Sequence, residues 1–246
     1  MSDALQELPP PALPPEIAAL LQRLHRLAPL EEADVAQVAA LARQAPRETG
    51  PRQELRAEGI RGAPLLLLSG WACRIRILPD GRRQIVSFLL PGDIIGRQQP
   101  SLAELCSIAS LTRLRHVDAS PLFVATPEGG LARALHALAL QDVAQLRDQV
   151  VRLGRQMAHE RLASLLLEFE ARLGAAGLAG DGRFAMPLTQ EVLADALGLS
   201  VVHLNRTLQQ LRREGLIALK GRVVTLRQTA ALRAIADWQP PPQLPD

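Results

Sequence analysis

The chain has 246 residues, 48% of them hydrophobic and 22% charged, with a formal net charge of +3. That balance fits a globular protein with room for two domains, and it excludes a disordered chain. Tyrosine is absent and aromatics make up 2%, so the expected cores are aliphatic and no platform for stacking single-stranded bases is expected.

Two cysteines, Cys73 and Cys106, make neither a disulfide framework nor a four-ligand metal site. The start MSDALQELPP lacks the basic and apolar regions of a secretory leader. No stretch approaches the ~20 apolar residues that span a bilayer. The expected location is therefore the cytoplasm, with no membrane partner.

Residues 1–15 are proline-rich and are expected to be an extended, disordered tail, like 239–246. Ile17, Leu20, Leu21, Leu24 and Leu27, then Val35, Val38 and Leu41, repeat at helical spacing. From about Pro46 to Phe123 the period changes to two. LLLLSG reads as a short buried strand. WACRIRIL places Trp71, Cys73, Ile75 and Ile77 on one face and Arg74 and Arg76 on the other. Asp80–Gly81 marks a hairpin, RRQIVSFLL returns, and PGDIIG ends that strand. Further strands are expected near 106–111 and 114–119. Short strands between glycine turns predict an antiparallel barrel or roll over 16–128.

The helical period returns from about Glu128. Val143, Leu146, Val150, Leu153 and Met157 are spaced three, four, three, four. This is a narrow seam of two heptads. It can pack on the chain's own barrel or on a twin helix; the charged neighbours Asp142, Arg147, Asp148 and Arg152 favour the twin, hence a dimerisation helix over 129–156. Ala158–Leu173 reads as a second helix with Leu162, Leu165, Leu166 and Phe169 inward. Gly174–Gly182 reads as a linker.

A third pattern lies at 188–226, within a segment running 157–238. Two short helices, Thr189–Leu197 and Val201–Arg213, are joined at Gly198, where the leucine repeat breaks phase. The small Ala194 lets the helices approach. Gly198 supplies a left-handed turn, and Ser200 caps the second helix. Ile217 onward forms a hairpin turning at Lys220–Gly221, a wing. An ordinary helical hairpin with a solvated face would carry similar leucines. Ala194, Gly198, the Asn205–Arg206 pair and the wing favour a winged helix-turn-helix instead. Its second helix would present Val202, His203, Asn205, Arg206 and Gln209 to a major groove. Thr189 and Gln190 at the start of the first helix, and Lys220 and Arg222 on the wing, would meet phosphates, and Ser200 is counted with them as a DNA-binding residue. Between 183 and 238 there are eight Arg/Lys against four Asp/Glu, so the basic excess of the chain sits here.

An α+β chain with a β-roll, a long helix and a C-terminal winged helix-turn-helix, in that order, resembles the Crp/Fnr family of bacterial transcription regulators. Gly70 and the strand after it, Asp80–Gly81, PGDIIG at 91–96 and the region 188–226 carry the resemblance. It implies a roll of the cyclic-nucleotide-binding type (a double-stranded β-helix) and a homodimer on an inverted-repeat duplex. It also raises RNA polymerase as a further partner. Arg206 falls where the family usually has an arginine. Val202 stands where a glutamate is common, and Asn205 where serine or glycine is common, which implies a different half-site.

The resemblance places an effector site near Gly92, Asp93, Gly96 and Arg97. Cyclic-nucleotide members follow this turn with a glutamate for the ribose and, further on, an arginine for the phosphate. Here the chain continues RQQPSLAELCSIAS, with Ser107–Ile108 in the arginine's region. The expectation is a roll without ordinary cyclic-AMP binding, with effector unknown and no cofactor. Two cysteines do not hold an iron–sulfur cluster. Cys73 is expected buried and inert, and Cys106 is the better redox candidate, still more structural than functional. His25, His116, His136, His159 and His203 are scattered, so neither a metal site nor a catalytic constellation is expected. The competing reading is a ligand-binding or protein-interaction module whose helix-turn-helix docks a protein; an enzyme ranks third.

Overall fold

The computed structural model describes residues 13–96, 103–124 and 129–239. The terminal tails expected at 1–15 and 239–246 lie almost wholly outside them. Helix α1 (Pro15–Leu27) already starts at Pro15, because proline's fixed φ and missing N–H suit a first helical turn. Helix α2 (Glu32–Ala40) follows, its first turn closed by Asp34, whose carboxylate accepts from the backbone N–H of Glu31 at 3.1 Å.

Eight strands come next: β1 (Arg47–Thr49), β2 (Glu54–Arg56), β3 (Leu65–Ser69), β4 (Ala72–Ile77), β5 (Arg83–Leu89), β6 (Ile94–Ile95), β7 (Ser107–Ser110) and β8 (Leu114–Asp118). They form two antiparallel four-stranded sheets, ordered β1-β8-β3-β6 and β2-β7-β4-β5. Leu67, Ala72, Leu89, Ile95, Ile108 and Leu114 fill the space between them. The outer face of the first sheet, with Leu66 and Leu68, packs on α1 and on Leu131, Ala134, Leu135 and Leu138. The run LLLLS is thus apolar on both sides because β3 is covered on both sides.

Those last four residues lie on α3 (Gly130–Gly154), and α4 (Ala158–Ala175) follows after a short turn. Met157 sits in that turn, where the Glu160 carboxylate accepts from its backbone N–H at 2.8 Å. It therefore lies beyond the end of α3 at Gly154, with its side chain exposed. Beyond α4, the expected glycine linker is a hairpin. Strands β9 (Ala179–Gly180) and β10 (Arg183–Ala185) turn at Asp181–Gly182. They join β11 (Ile217–Lys220) and β12 (Val223–Leu226) in a third sheet, ordered β11-β12-β10-β9. Helices α5 (Gln190–Leu197) and α6 (Val201–Arg213) precede that wing, and α7 (Thr229–Ala236) closes the fold with Leu232 buried. No helix among the described residues is long and apolar enough to cross a membrane.

The outer face of the second sheet joins roll to helix-turn-helix. Trp71, Cys73, Ile85 and Phe88 lie in one core with Phe169 of α4 and Leu193, Leu204 and Leu208. Phe169 is edge-on to Trp71, Phe88 and Phe184, with ring centroids 4.9, 5.0 and 6.5 Å away. Four of the chain's six aromatic residues meet at this junction. The alternation read from WACRIRIL holds to Ile75, which packs on the same core, and stops at Ile77, which is exposed. A register shift after Arg74 carries the hairpin tip past the core.

Gly70 turns the chain between β3 and β4 at φ +89°, where an added Cβ would lie 2.2 Å from the Arg113 carbonyl oxygen. Strain at that φ costs about 1–2 kcal/mol, and the blocked atom is backbone. Gly70→Ala is expected to destabilise by about 3 kcal/mol or more, read as a lower denaturant midpoint; a midpoint within error of the parent would refute the tight approach.

Candidate nucleic-acid interface

Thr189 and Ser200 cap α5 and α6: their hydroxyl oxygens accept from the backbone N–H groups of Val192 and His203 at 3.3 and 3.2 Å. Gly198 takes φ +62° between the helices, with a Leu153 methyl 3.3 Å from where a Cβ would lie. Ala194 is buried as the close approach requires, with Leu193, Leu197, Leu204, Leu208 and Leu211 around it. The boundaries follow because each helix has its start and stop signal in the residues flanking it.

One face of α6 is left to solvent. Val202, His203, Asn205, Arg206 and Gln209 are all exposed on it. The Asn205 amide donates to the Gln190 side chain at 3.1 Å, and Arg212 donates to Gln209 at 3.4 Å, so α5 and α6 present linked polar groups at one surface. Lys220 ends β11 and Arg222 sits in the wing turn beside Gly221, both exposed. An open basic groove between the end of α6 and the wing is lined by Gln209, Arg212, Arg213, Leu219 and Arg227. The three arginines were not singled out from sequence. Only the folding of the wing against α6 brings Arg227 next to Arg212–Arg213.

Val143, Leu146 and Val150 are exposed along α3, with Leu140 and Val151 beside them. Leu153 is half-buried and turns towards Gly198 instead.

Of the expected effector residues, Gly96 lines a cavity of about 200 Å³ between the roll and α3. Gly92 and Asp93 do not line it: Asp93 is buried and accepts from Leu90 N–H at 2.8 Å and pairs with Arg23 and Arg172. Arg97 lies outside the described residues. The cavity holds two guanidiniums that the sequence reading missed, Arg56 from β2 and Arg74 from β4, because they come from strands far upstream of the turn. Arg56 pairs with Glu104 at 2.9 Å and donates to the Ala63 carbonyl, while Arg74 reaches Ser87 at 3.3 Å.

Cys106 borders this cavity, and burial followed by Glu58 pushes its thiol above the usual value. Cys73 is buried under α4, and desolvation pushes its thiol up to about 12, so it stays a protonated, unreactive thiol. His116 is buried, its Nε2 3.1 Å from the Thr49 hydroxyl, and burial with Arg47 lowers its pKa. Among the described residues no three His, Cys, Asp or Glu side chains could share a metal ion.

A β-roll joined through helices to a winged helix-turn-helix with a polar, basic outer face has the architecture of a DNA-binding transcription regulator. A family model described as a Crp-like helix-turn-helix domain matches residues 160–235. The nitrogen fixation regulation protein FixK of Bradyrhizobium diazoefficiens is 33% identical over 180 residues, covering 69% of this chain and 72% of that protein. The transcriptional activator protein FnrL of Cereibacter sphaeroides is 33% identical over 163 residues, covering 63% and 65%. The structure of FixK2 from Bradyrhizobium japonicum superposes with a TM-score of 0.66 at 29% identity, over 78% of this chain and 98% of that one. The chain belongs to the Crp/Fnr family of transcription regulators, with a helix-turn-helix DNA-binding domain.

Proposed function

We propose that the protein is a homodimer that binds an inverted-repeat duplex, one α6 in each of two major grooves about a helical turn apart. The observation that carries this reading is the pairing of two exposed surfaces on one chain. One is the polar face of α6, with Val202, His203, Asn205, Arg206 and Gln209. The other is the apolar stripe of α3 at Val143, Leu146 and Val150, which water covers unless a twin does. Thr189 and Gln190 at the start of α5 would meet one phosphate, and Lys220, Arg222 and the groove arginines another. Val202 suits a thymine methyl and Arg206 a guanine edge. The names of the relatives, a nitrogen fixation regulation protein and a transcriptional activator, support a regulator over an enzyme. In this reading the roll does not hold a cyclic nucleotide in the usual way. Arg56 is committed to Glu104, and a phosphate would have to break that buried pair.

The test is selection of duplexes from a random pool by the purified protein, with and without added cyclic nucleotide. The expected result is an enriched inverted repeat without nucleotide, bound with an affinity that falls steeply as salt rises. Enrichment of no duplex, or binding indifferent to salt, would favour a helix-turn-helix that docks a protein.

A further inference from the structure

A helix leaves its last four carbonyls without partners in the helix itself. In α5, Gly198 and Leu199 N–H groups satisfy Ala194. The remaining three carbonyls are each taken by a side chain from outside the helix-turn-helix pair. Gln84 of β5 donates to Asp195 O at 3.1 Å, Gln149 of α3 to Ala196 O at 2.7 Å, and Arg161 of α4 to Leu197 O at 2.9 Å. Arg83 adds ion pairs to Asp195 and Glu191 at 2.7 and 3.0 Å. Water could satisfy these carbonyls equally well energetically; side chains from three separate elements also fix where the helix end lies.

One of these caps is held by a buried chain of charge. Gln149 accepts from Arg152 at 2.5 Å; Arg152, only 2% exposed, pairs with Glu168 at 2.8 Å; Glu168 pairs with Arg172 at 2.9 Å; Arg172 pairs with Asp93 at 2.6 Å. Asp93 in turn holds Arg23 of α1. Burial works against the Arg172 charge, but Asp93 and Glu168 outweigh it and raise its pKa. Each link is charge-assisted and largely dry, so a displacement at one end is not absorbed by solvent.

We infer that the C-terminal end of α5 is a socket in which the rest of the chain sets the orientation of the helix-turn-helix. Glu168, clamped between Arg152 and Arg172, is the positioning residue that ties this socket to the Asp93 turn of the roll. The turn motif PGDIIG thus serves geometry at the DNA-binding end. The consequence for DNA rests on the reading given under Proposed function; the orientation itself does not.

The test is a distance measurement on the full chain. Nitroxides are attached after Glu48→Cys and Glu214→Cys in a Cys106→Ser background, with labelled chains diluted into unlabelled ones. The parent is expected to give one narrow distribution. Gln149→Leu with Gln84→Ala, and separately Glu168→Gln, are expected to broaden or shift it. On the selected duplex the same variants are expected to lose roughly three- to thirtyfold of the discrimination against half-sites spaced one base pair too far. Salt slope and half-site sequence preference are expected to be unchanged. Lower melting temperatures with unaltered distances and unaltered spacing discrimination would overturn the socket, leaving only a structural role. Should Glu168→Gln fail to fold, the glutamine pair decides, because it strands no buried charge. A parent that binds no duplex would sink the DNA reading alone, and the distance distributions would still decide the socket.

Discussion

Leu146→Glu combined with Val150→Glu is expected to give a folded monomer that has lost two to four orders of magnitude in affinity for the two-half-site duplex. Both side chains face solvent in the single chain, Leu146 41% and Val150 71% exposed, so neither is a core residue, although Leu146 also borders the roll cavity. In the proposed dimer each is buried twice by symmetry, and each burial contributes about 1.5–3 kcal/mol. Four carboxylates placed in that seam must be desolvated beside one another, which reverses the sign of the contact. Once the pair separates, the second recognition helix is no longer held at a high local concentration over its half-site, and a gain of roughly 10²–10⁴ disappears. Sedimentation equilibrium reads the first effect, and titration of duplexes with one or two half-sites reads the second. The single half-site should be bound as before. A variant that still sediments as a dimer would move the interface off α3; a monomer that binds the full duplex as tightly as the parent would remove the need for a dimer.

The parts of the fold that were legible in the sequence are those fixed by neighbours along the chain. Ser200, Gly198 and Thr189 mark helix ends by local hydrogen bonding and by one left-handed turn, and the helices begin and end where those residues stand. The Asp80–Gly81 hairpin is local in the same sense. What was not legible depends on contacts between distant segments. The hairpin at 179–185 looks like a linker because its glycines and short strands have no pattern of their own; it is a sheet only because β10 finds β12 forty residues later. Asp93 has the look of an effector residue in the PGDIIG turn, yet Arg23 and Arg172, seventy residues before and seventy-nine after, draw it into the protein. Arg56 and Arg74 reach the roll cavity from strands whose pairing, and not whose spacing, brings them there. Periodicity likewise placed Leu153 and Met157 on one continuous helix face; the helix ends at Gly154, so Met157 lies beyond it, and Leu153 is half-buried beside Gly198.

The surface formed by α6 and the wing carries two kinds of cation, and they are expected to fail in different ways. Arg206→Ala should cost about 1–3 kcal/mol on the selected duplex and relax the preference at one base position. A planar guanidinium exposed one turn after Val202 can pair both acceptors of a guanine edge, and alanine can pair neither. The loss is a difference between the right and the wrong base, so binding to unrelated duplexes should fall far less. Lys220→Ala and Arg222→Ala lie on the wing, where a cation meets a phosphate that is the same at every sequence. Each should weaken all duplexes alike and flatten the salt dependence by about one counterion. Titrations against the selected duplex, a single-base variant at the guanine and an unrelated duplex, each at several salt concentrations, separate the two patterns. If Arg206→Ala lowered all three duplexes equally and flattened the salt slope, Arg206 would be a phosphate contact. Base reading would then fall to Val202, His203, Asn205 and Gln209, the other exposed side chains of that face.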